Sequence, residues 1–171
     1  MQNNTANIKN TTVVIRPFTE EYAPGACAVW NQVVEDGVAF PQEQPLSCEE
    51  GAAFFQEQSF TGVALDGEQV VGLYILHPNN VGRCGHIANA SFAVRKEYSG
   101  RHIGGMLVDH CLAKAAQLGF RIMQFNAVVA TNAPARHLYQ KKGFHQLGCI
   151  PGGFRLKDGS YEDIVLYYRQ L

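Results

Sequence analysis

No run of this 171-residue chain approaches the roughly 18 consecutive apolar residues of a membrane span. Net charge is nearly absent too, with 14 basic side chains against 15 acidic ones giving -1. That balance offers no electrostatic ground for binding nucleic acid or an anionic membrane surface, so neither is expected as a partner. Cysteine is sparse and scattered. Cys27, Cys48, Cys84, Cys111 and Cys149 are odd in number and lack any C-x-x-C spacing, which predicts neither a metal centre nor a disulfide framework. All five are read as buried thiols acting as small hydrophobes. Internal repeats, linkers and a cleavable apolar segment are missing as well. Residues 1–10 therefore read as a flexible polar leader, and a cytoplasmic location is expected.

What is present is the composition of one folded domain, expected over residues 11–171. Apolar residues make up 46% and charged ones 17%, which excludes a disordered chain and is enough for a single core. Strand and helix periods alternate along it. Val13 to Arg16 reads as a strand and Ala23 to Glu35 as a helix with Ala26, Val29, Trp30, Val33 and Val34 on its apolar face. Pro41 and Pro45 mark 37–47 as a loop, in which Phe40 is a candidate wall for a ligand pocket. Ser47 and Glu50 have capping-box spacing and open a helix to about Gln58. Val63 to Leu76 reads as a hairpin about Asp66-Gly67, and His86 to Val94 as the next strand. A helix from Ile103 to Leu118 is predicted to bury Ile103, Met106, Leu107, His110, Cys111 and Leu118. Arg121 to Val129 reads as a buried strand, with Asn132 to Lys142 a short helix behind it. Two closing strands, near 144–150 and 163–168, flank a loop at Pro151-Gly152-Gly153. The order predicts an α/β fold, a mixed sheet with helices on both faces.

Two segments carry chemistry. In the first, the strand ending at Val94 runs through Tyr98-Ser99-Gly100-Arg101-His102-Ile103-Gly104-Gly105 into a helix. The free amides of a first helical turn and the positive end of its dipole attract anions, and glycines let the main chain approach one closely. Arg101 adds charge. In the second, Asn132 is placed to cap a helix, Pro134 fits its first turn, and Ala135, Leu138 and Tyr139 recur at helical spacing before Gly143-Phe144. Asn126 interrupts an apolar strand, where a buried amide must find hydrogen-bond partners.

Together these segments resemble the GCN5-related N-acetyltransferase (GNAT) family. Its later helix commonly reads Asn-x-x-Ala-x-x-Leu-Tyr followed by Gly-Phe, matched here from Asn132 to Phe144. Its coenzyme A loop usually carries Gln or Arg, two residues, Gly, one residue, then Gly or Ala. Here Ser99 and His102 depart from that pattern and Gly104 keeps it. Small-molecule enzymes of the phosphinothricin type, and fungal enzymes that acetylate azetidine-2-carboxylate, are similar; the latter share asparagines placed like Asn89, Asn126 and Asn132. The resemblance implies an acyl-CoA N-acyltransferase fold with six to seven mostly antiparallel strands. It also implies acetyl-CoA as cosubstrate without a metal, a small-molecule amine acceptor, and a homodimer.

Residue by residue, the resemblance implies a coenzyme site from Phe92, Ala93 and Val94 through Ser99, Gly100, Arg101, His102, Ile103, Gly104 and Gly105 to Asn132, Ala135 and Tyr139. Main-chain amides of Ser91 to Val94 would polarise the thioester carbonyl if the strand is splayed, for which a bulge is expected there. Tyr139 is the expected proton donor to the departing thiolate. Asn89 and Asn126 would orient an acceptor lying against Phe40, and His86 is the candidate to take its proton. Two other readings stay open: an acyl-CoA sensor without turnover, favoured by Ser99 and His102, and an acetyltransferase for peptide amines.

Overall fold

The computed structural model describes residues 12–171, so the expected leader at 1–10 lies outside the described residues. Seven strands form one sheet: β1 (Val14–Pro17), β2 (Phe60–Asp66), β3 (Gln69–Pro78), β4 (Ile87–Val94), β5 (Ile122–Val129), β6 (His145–Arg155) and β7 (Tyr161–Gln170). Their spatial order is β1-β2-β3-β4-β5-β7-β6, with β4 and β5 the one parallel pair. Helices α1 (Ala23–Asp36) and α2 (Cys48–Gln56) pack on one face, α3 (Ile103–Gln117) and α4 (Ala133–Lys141) on the other. The expected mixed, mostly antiparallel α/β sheet covered on both faces is what the chain forms.

Local chemistry sets several boundaries. At α2 the Ser47 hydroxyl accepts from Glu50 N at 3.2 Å while the Glu50 carboxylate accepts from Ser47 N at 2.9 Å, closing the expected capping box. On α1, Trp30 is fully buried, with its ring 4.4 Å from that of Phe40. Asn31 donates to Leu46 O and accepts from Leu46 N, both at 2.8 Å. The 37–47 segment is thus the expected loop, yet a tilted ring contact and a two-point amide clasp hold it on α1. Arg136 fastens α4 by donating to the Tyr167 hydroxyl at 3.1 Å and to Ala130 O at 3.0 Å.

Four expectations about the elements and their packing are corrected. Met106 and Leu118 are 38% and 48% exposed; the buried stripe of α3 runs instead through Ile103, Leu107, Val108, Cys111, Leu112 and Ala115. Only Cys27 and Cys111 are buried, whereas Cys48, Cys84 and Cys149 are exposed. Pro151-Gly152-Gly153 is not the closing loop but a bulge within β6, where register with β7 shifts between Ile150 and Phe154. Two contacts keep the strand going: Gly152 N donates to Asp163 Oδ1 at 2.9 Å, and Gly153 passes so near Ile164 that a Cβ would sit 2.4 Å from its Cγ1. The turn comes later, where the Ser160 amide and hydroxyl both donate to Asp158. The fourth correction, the bulge expected on β4, bears on the site and is described with it.

The Tyr74 hydroxyl, on a fully buried side chain, lies 2.8 Å from Nδ1 of half-buried His110 on α3. Burial first, and the Lys114 charge second, hold the His110 pKa below its ordinary value. The unfolded chain therefore binds that proton more strongly. Stability from this site is present above about pH 6.5 and is lost as the pH falls below it. Denaturant unfolding at pH 7 and pH 5.5 is expected to show a loss that His110→Gln reduces; an equal loss in the variant would remove His110 as its source.

Candidate active site

The β3–β4 ladder runs unbroken from Gly72 opposite Val94 to Pro78 opposite Ala88. By contrast, β4 meets β5 only at Ile87–Ile122 and Ala88–Met123. Beyond that point the two strands diverge. Arg95 N donates to Val71 O and Asn79 N to Ile87 O, so the odd-numbered residues of β4 pair with β3 while the amides of Ala90, Phe92 and Val94 point into the divergence. The Ala90 amide is taken up by Asn89 Oδ1 at 2.8 Å. Those of Phe92 and Val94 have no ladder partner. The bulge expected here on β4 lies on β5 instead, where register with β7 shifts between Phe125 and Val128.

A cavity of about 290 Å³ occupies the wedge. It brings together Phe40, Asn89, Phe92, Asn126, Asn132, Ala135 and Tyr139. Phe40 reaches it from the pinned loop, and Asn132 caps α4 by accepting from Ala135 N at 3.3 Å. Asn126 is not the buried amide expected from an apolar strand, because the β5 bulge leaves it exposed. It donates to Asn79 Oδ1 and accepts from Gln124 Nε2, neither of which sequence reasoning singled out. Asn79 closes β3 and Gln124 alternates with Met123, and only tertiary structure reveals that they meet. His86 is left outside, exposed at the start of β4. Ala93 points its side chain into the core on the α1 face, and Val94 packs against the α3 face.

Tyr139 is the one ionisable side chain among the described residues lining this cavity. Its ring sits 4.5 Å from that of Phe125 and 5.6 Å from that of Phe144. Burial, with Cys111 adding, pushes the phenol well above its ordinary range. The group stays protonated near neutrality, which suits a proton donor and disqualifies it as a base.

Beside the wedge, β4 leads through the exposed Ser99-Gly100-Arg101-His102 loop into α3. Gly100 and His102 both take left-handed backbone, with φ of 79° and 62°. His102 is the one non-glycine residue to do so among the described residues. The first helical hydrogen bond is Met106 N to His102 O at 3.1 Å, so the amides of Ile103, Gly104 and Gly105 have no acceptor within the helix. A Cβ on Gly104 would meet nothing nearer than Leu138 at 3.6 Å, and one on Gly105 nothing nearer than 3.8 Å. Packing does not require either glycine. Both weaken a helix by up to about 1 kcal/mol relative to alanine, a loss that packing does not explain. Bare amides at the positive end of a helix favour an anion in hydrogen-bonding sense and in charge.

The sequence profile of the Acetyltransferase (GNAT) family matches residues 28–144, which takes in the wedge, the loop and α4. The chain belongs to this family. The Schizosaccharomyces pombe N-acetyltransferase aca1 is 34% identical over 99 residues, which are 57% of this chain and 47% of that protein. The chain thus aligns with about half of aca1. Among solved structures, a GCN5-related N-acetyltransferase from Kribbella flavida has 30% identity and a TM-score of 0.86, covering 93% of this chain and 98% of its own. A Sinorhizobium meliloti phosphinothricin acetyltransferase in complex with AcCoA shares the fold at 23% identity and a TM-score of 0.86, covering 94% of this chain and 89% of its own.

Within this GNAT chain, no helix among the described residues is long and apolar enough to cross a membrane. Two substitutions probe the loop without any ligand. His102→Gly relieves left-handed strain that costs about 1 kcal/mol or more, offset in part by the freedom glycine gains in the unfolded chain. Gly104→Ala removes a weak helix former. Each is expected to raise the unfolding free energy by a few tenths to about 1 kcal/mol. Calorimetric melting checks both, and destabilisation by Gly104→Ala would mean that packing does require the glycine.

Proposed function

We propose that this chain is an acetyl-CoA-dependent N-acetyltransferase whose acceptor is the primary or secondary amine of a small molecule, an amino acid or amino-acid analogue. The observation that carries the reading is the wedge itself. A strand edge with free amides, a protonated phenol and a bare helix N-terminus lie side by side, as the transfer of an acyl group from a diphosphate-bearing thioester requires. The cavity of about 290 Å³ suits a small acceptor better than a peptide, and the asparagine side chains around it offer neutral donors and acceptors.

In this reading the amides of Ile103 to Gly105, with Ser99 to His102 around them, hold the diphosphate. Asn132 and Ala135 flank the pantetheine arm. Acetyl-CoA supplies an already activated thioester, so orientation provides much of the rate, equivalent to effective molarities of about 10⁵ M or more. The Phe92 and Val94 amides receive the carbonyl oxygen. Asn89 and Asn126 orient the amine, whose nitrogen forms the new bond to the acetyl carbon as the bond to sulfur breaks. Tyr139 gives its proton to that sulfur. Neither carboxylate nor imidazole lines the cavity among the described residues, so the amine sheds its proton to water and His86 has no part in taking it.

The exposed thiols of Cys48, Cys84 and Cys149 support a reducing, cytoplasmic setting. Leu147 and Ile150 stand exposed on edge strand β6 and support pairing of two copies there.

Purified protein with acetyl-CoA and a panel of amines, including amino acids, proline analogues, phosphinothricin and polyamines, is expected to release free thiol above the hydrolytic background. Tight binding without release on every amine would favour a sensor instead. Tyr139→Phe is expected to slow turnover about 10-fold to 10⁴-fold with little change in coenzyme affinity; unchanged turnover would take Tyr139 out of the reaction. Gly104→Val is expected to weaken coenzyme binding, and unaltered affinity would move the diphosphate elsewhere.

A further inference from the structure

Tyr98 has no role in the site as described, yet it joins the loop before α3 to the opposite hairpin. Its hydroxyl lies 3.1 Å from Asp66 Oδ2 and 3.1 Å from Gln69 Oε1, the two residues that face each other across the β2–β3 turn. The Arg101 guanidinium rests 4.5 Å above its ring. The main chain repeats the connection: Tyr98 N donates to Arg95 O, Arg101 N to Tyr98 O, and Arg95 N to Val71 O at the start of β3. The Arg95 side chain donates to Val70 O as well. One aromatic residue therefore ties the β2–β3 hairpin to the segment carrying both left-handed residues.

Two unfavourable features meet at this tie. One is the positive φ of His102. The other is Asp66 Oδ1, the one buried side-chain oxygen or nitrogen among the described residues that lacks a hydrogen-bond partner. Strained backbone persists where its surroundings over-determine it, and an orphaned buried acceptor calls for an explanation. A carboxylate kept at the hairpin so that its other oxygen can fix the Tyr98 hydroxyl accounts for both.

We propose that Tyr98, held by Asp66, is a positioning residue that keeps residues 99–103 in the shape that aims the amides of Ile103 to Gly105 at the coenzyme diphosphate. Tyr98 touches no reacting atom and acts only through the loop. The inference rests on the diphosphate placement proposed above, and its test separates the two.

S-acetylpantetheine carries the same thioester and arm as acetyl-CoA but lacks the diphosphate. Calorimetric Kd values for both donors, with KM and kcat, are compared for wild type, Tyr98→Phe and Asp66→Asn. The phenylalanine variant keeps the ring under Arg101 and loses only the hydroxyl; melting temperatures confirm that each variant is folded. Tyr98→Phe is expected to raise Kd and KM for acetyl-CoA about 3-fold to 10-fold, the scale of one hydrogen bond to a charged group on a partly exposed loop. Its kcat at saturation and its Kd for S-acetylpantetheine stay within about 2-fold of wild type. Asp66→Asn, which still accepts from the phenol, is expected to show a smaller rise. Unchanged acetyl-CoA affinity in Tyr98→Phe, or equal losses for both donors, would overturn the role of Tyr98. Wild type binding the two donors equally would overturn the diphosphate placement itself.

Discussion

The site follows from where one hydrogen-bonded ladder stops. Two parallel strands that stayed zipped would bury their amides in each other and leave no room between them. Here β4 and β5 part after Ala88–Met123, while β4 stays fully paired to β3 and β5 stays paired to β7 through its bulge. Each strand is thus secured on its outer side, so the gap is a fixed feature of the sheet and not a frayed end. The amides freed on β4 are rigid for that reason, and rigid dipoles stabilise developing charge without having to reorganise.

Around the gap, the chain accepts local losses to keep the geometry. Gly104 and Gly105 stand where alanine would make a better helix and where packing leaves room for it. His102 takes a backbone region that disfavours side chains. Asn89 turns its amide back on its own strand. Tyr139, by contrast, is enclosed by the rings of Phe92, Phe125, Phe144 and Tyr167, which fix its position and keep its proton in place. Rigid aromatic packing lies on one side of the gap and bare main chain on the other: one encloses a protonated phenol, the other presents amides with no acceptor in the helix.

Features set by neighbouring residues were legible in the sequence. The capping box at Ser47 and Glu50, the cap at Asn132, the Pro-bearing loop and the helix from Ile103 each need only a few residues to specify them, and all formed as read. What the sequence hid depends on partners distant along the chain. Pro151-Gly152-Gly153 carries every local mark of a turn, and only Asp163 and Ile164 across the pair turn it into a bulge. Met106 and Leu118 are apolar enough for a core, but the helix rotation that buries Leu107 and Cys111 takes them outward. The asparagines of the wedge were identified singly. The link from Asn126 to Asn79 arises because the end of β3 lies across β4 from the first half of β5, which no spacing within one strand encodes.

The kinked outer strand has a further effect. An open, flat final strand invites copies of itself to add indefinitely, whereas β6 swells at 151–153 and carries a proline there. A second molecule approaching that rim meets two breaks in the pairing register of β6, one between Gln146 and Gly148 and one between Ile150 and Phe154. An edge broken in this way is a poor template for adding further strands.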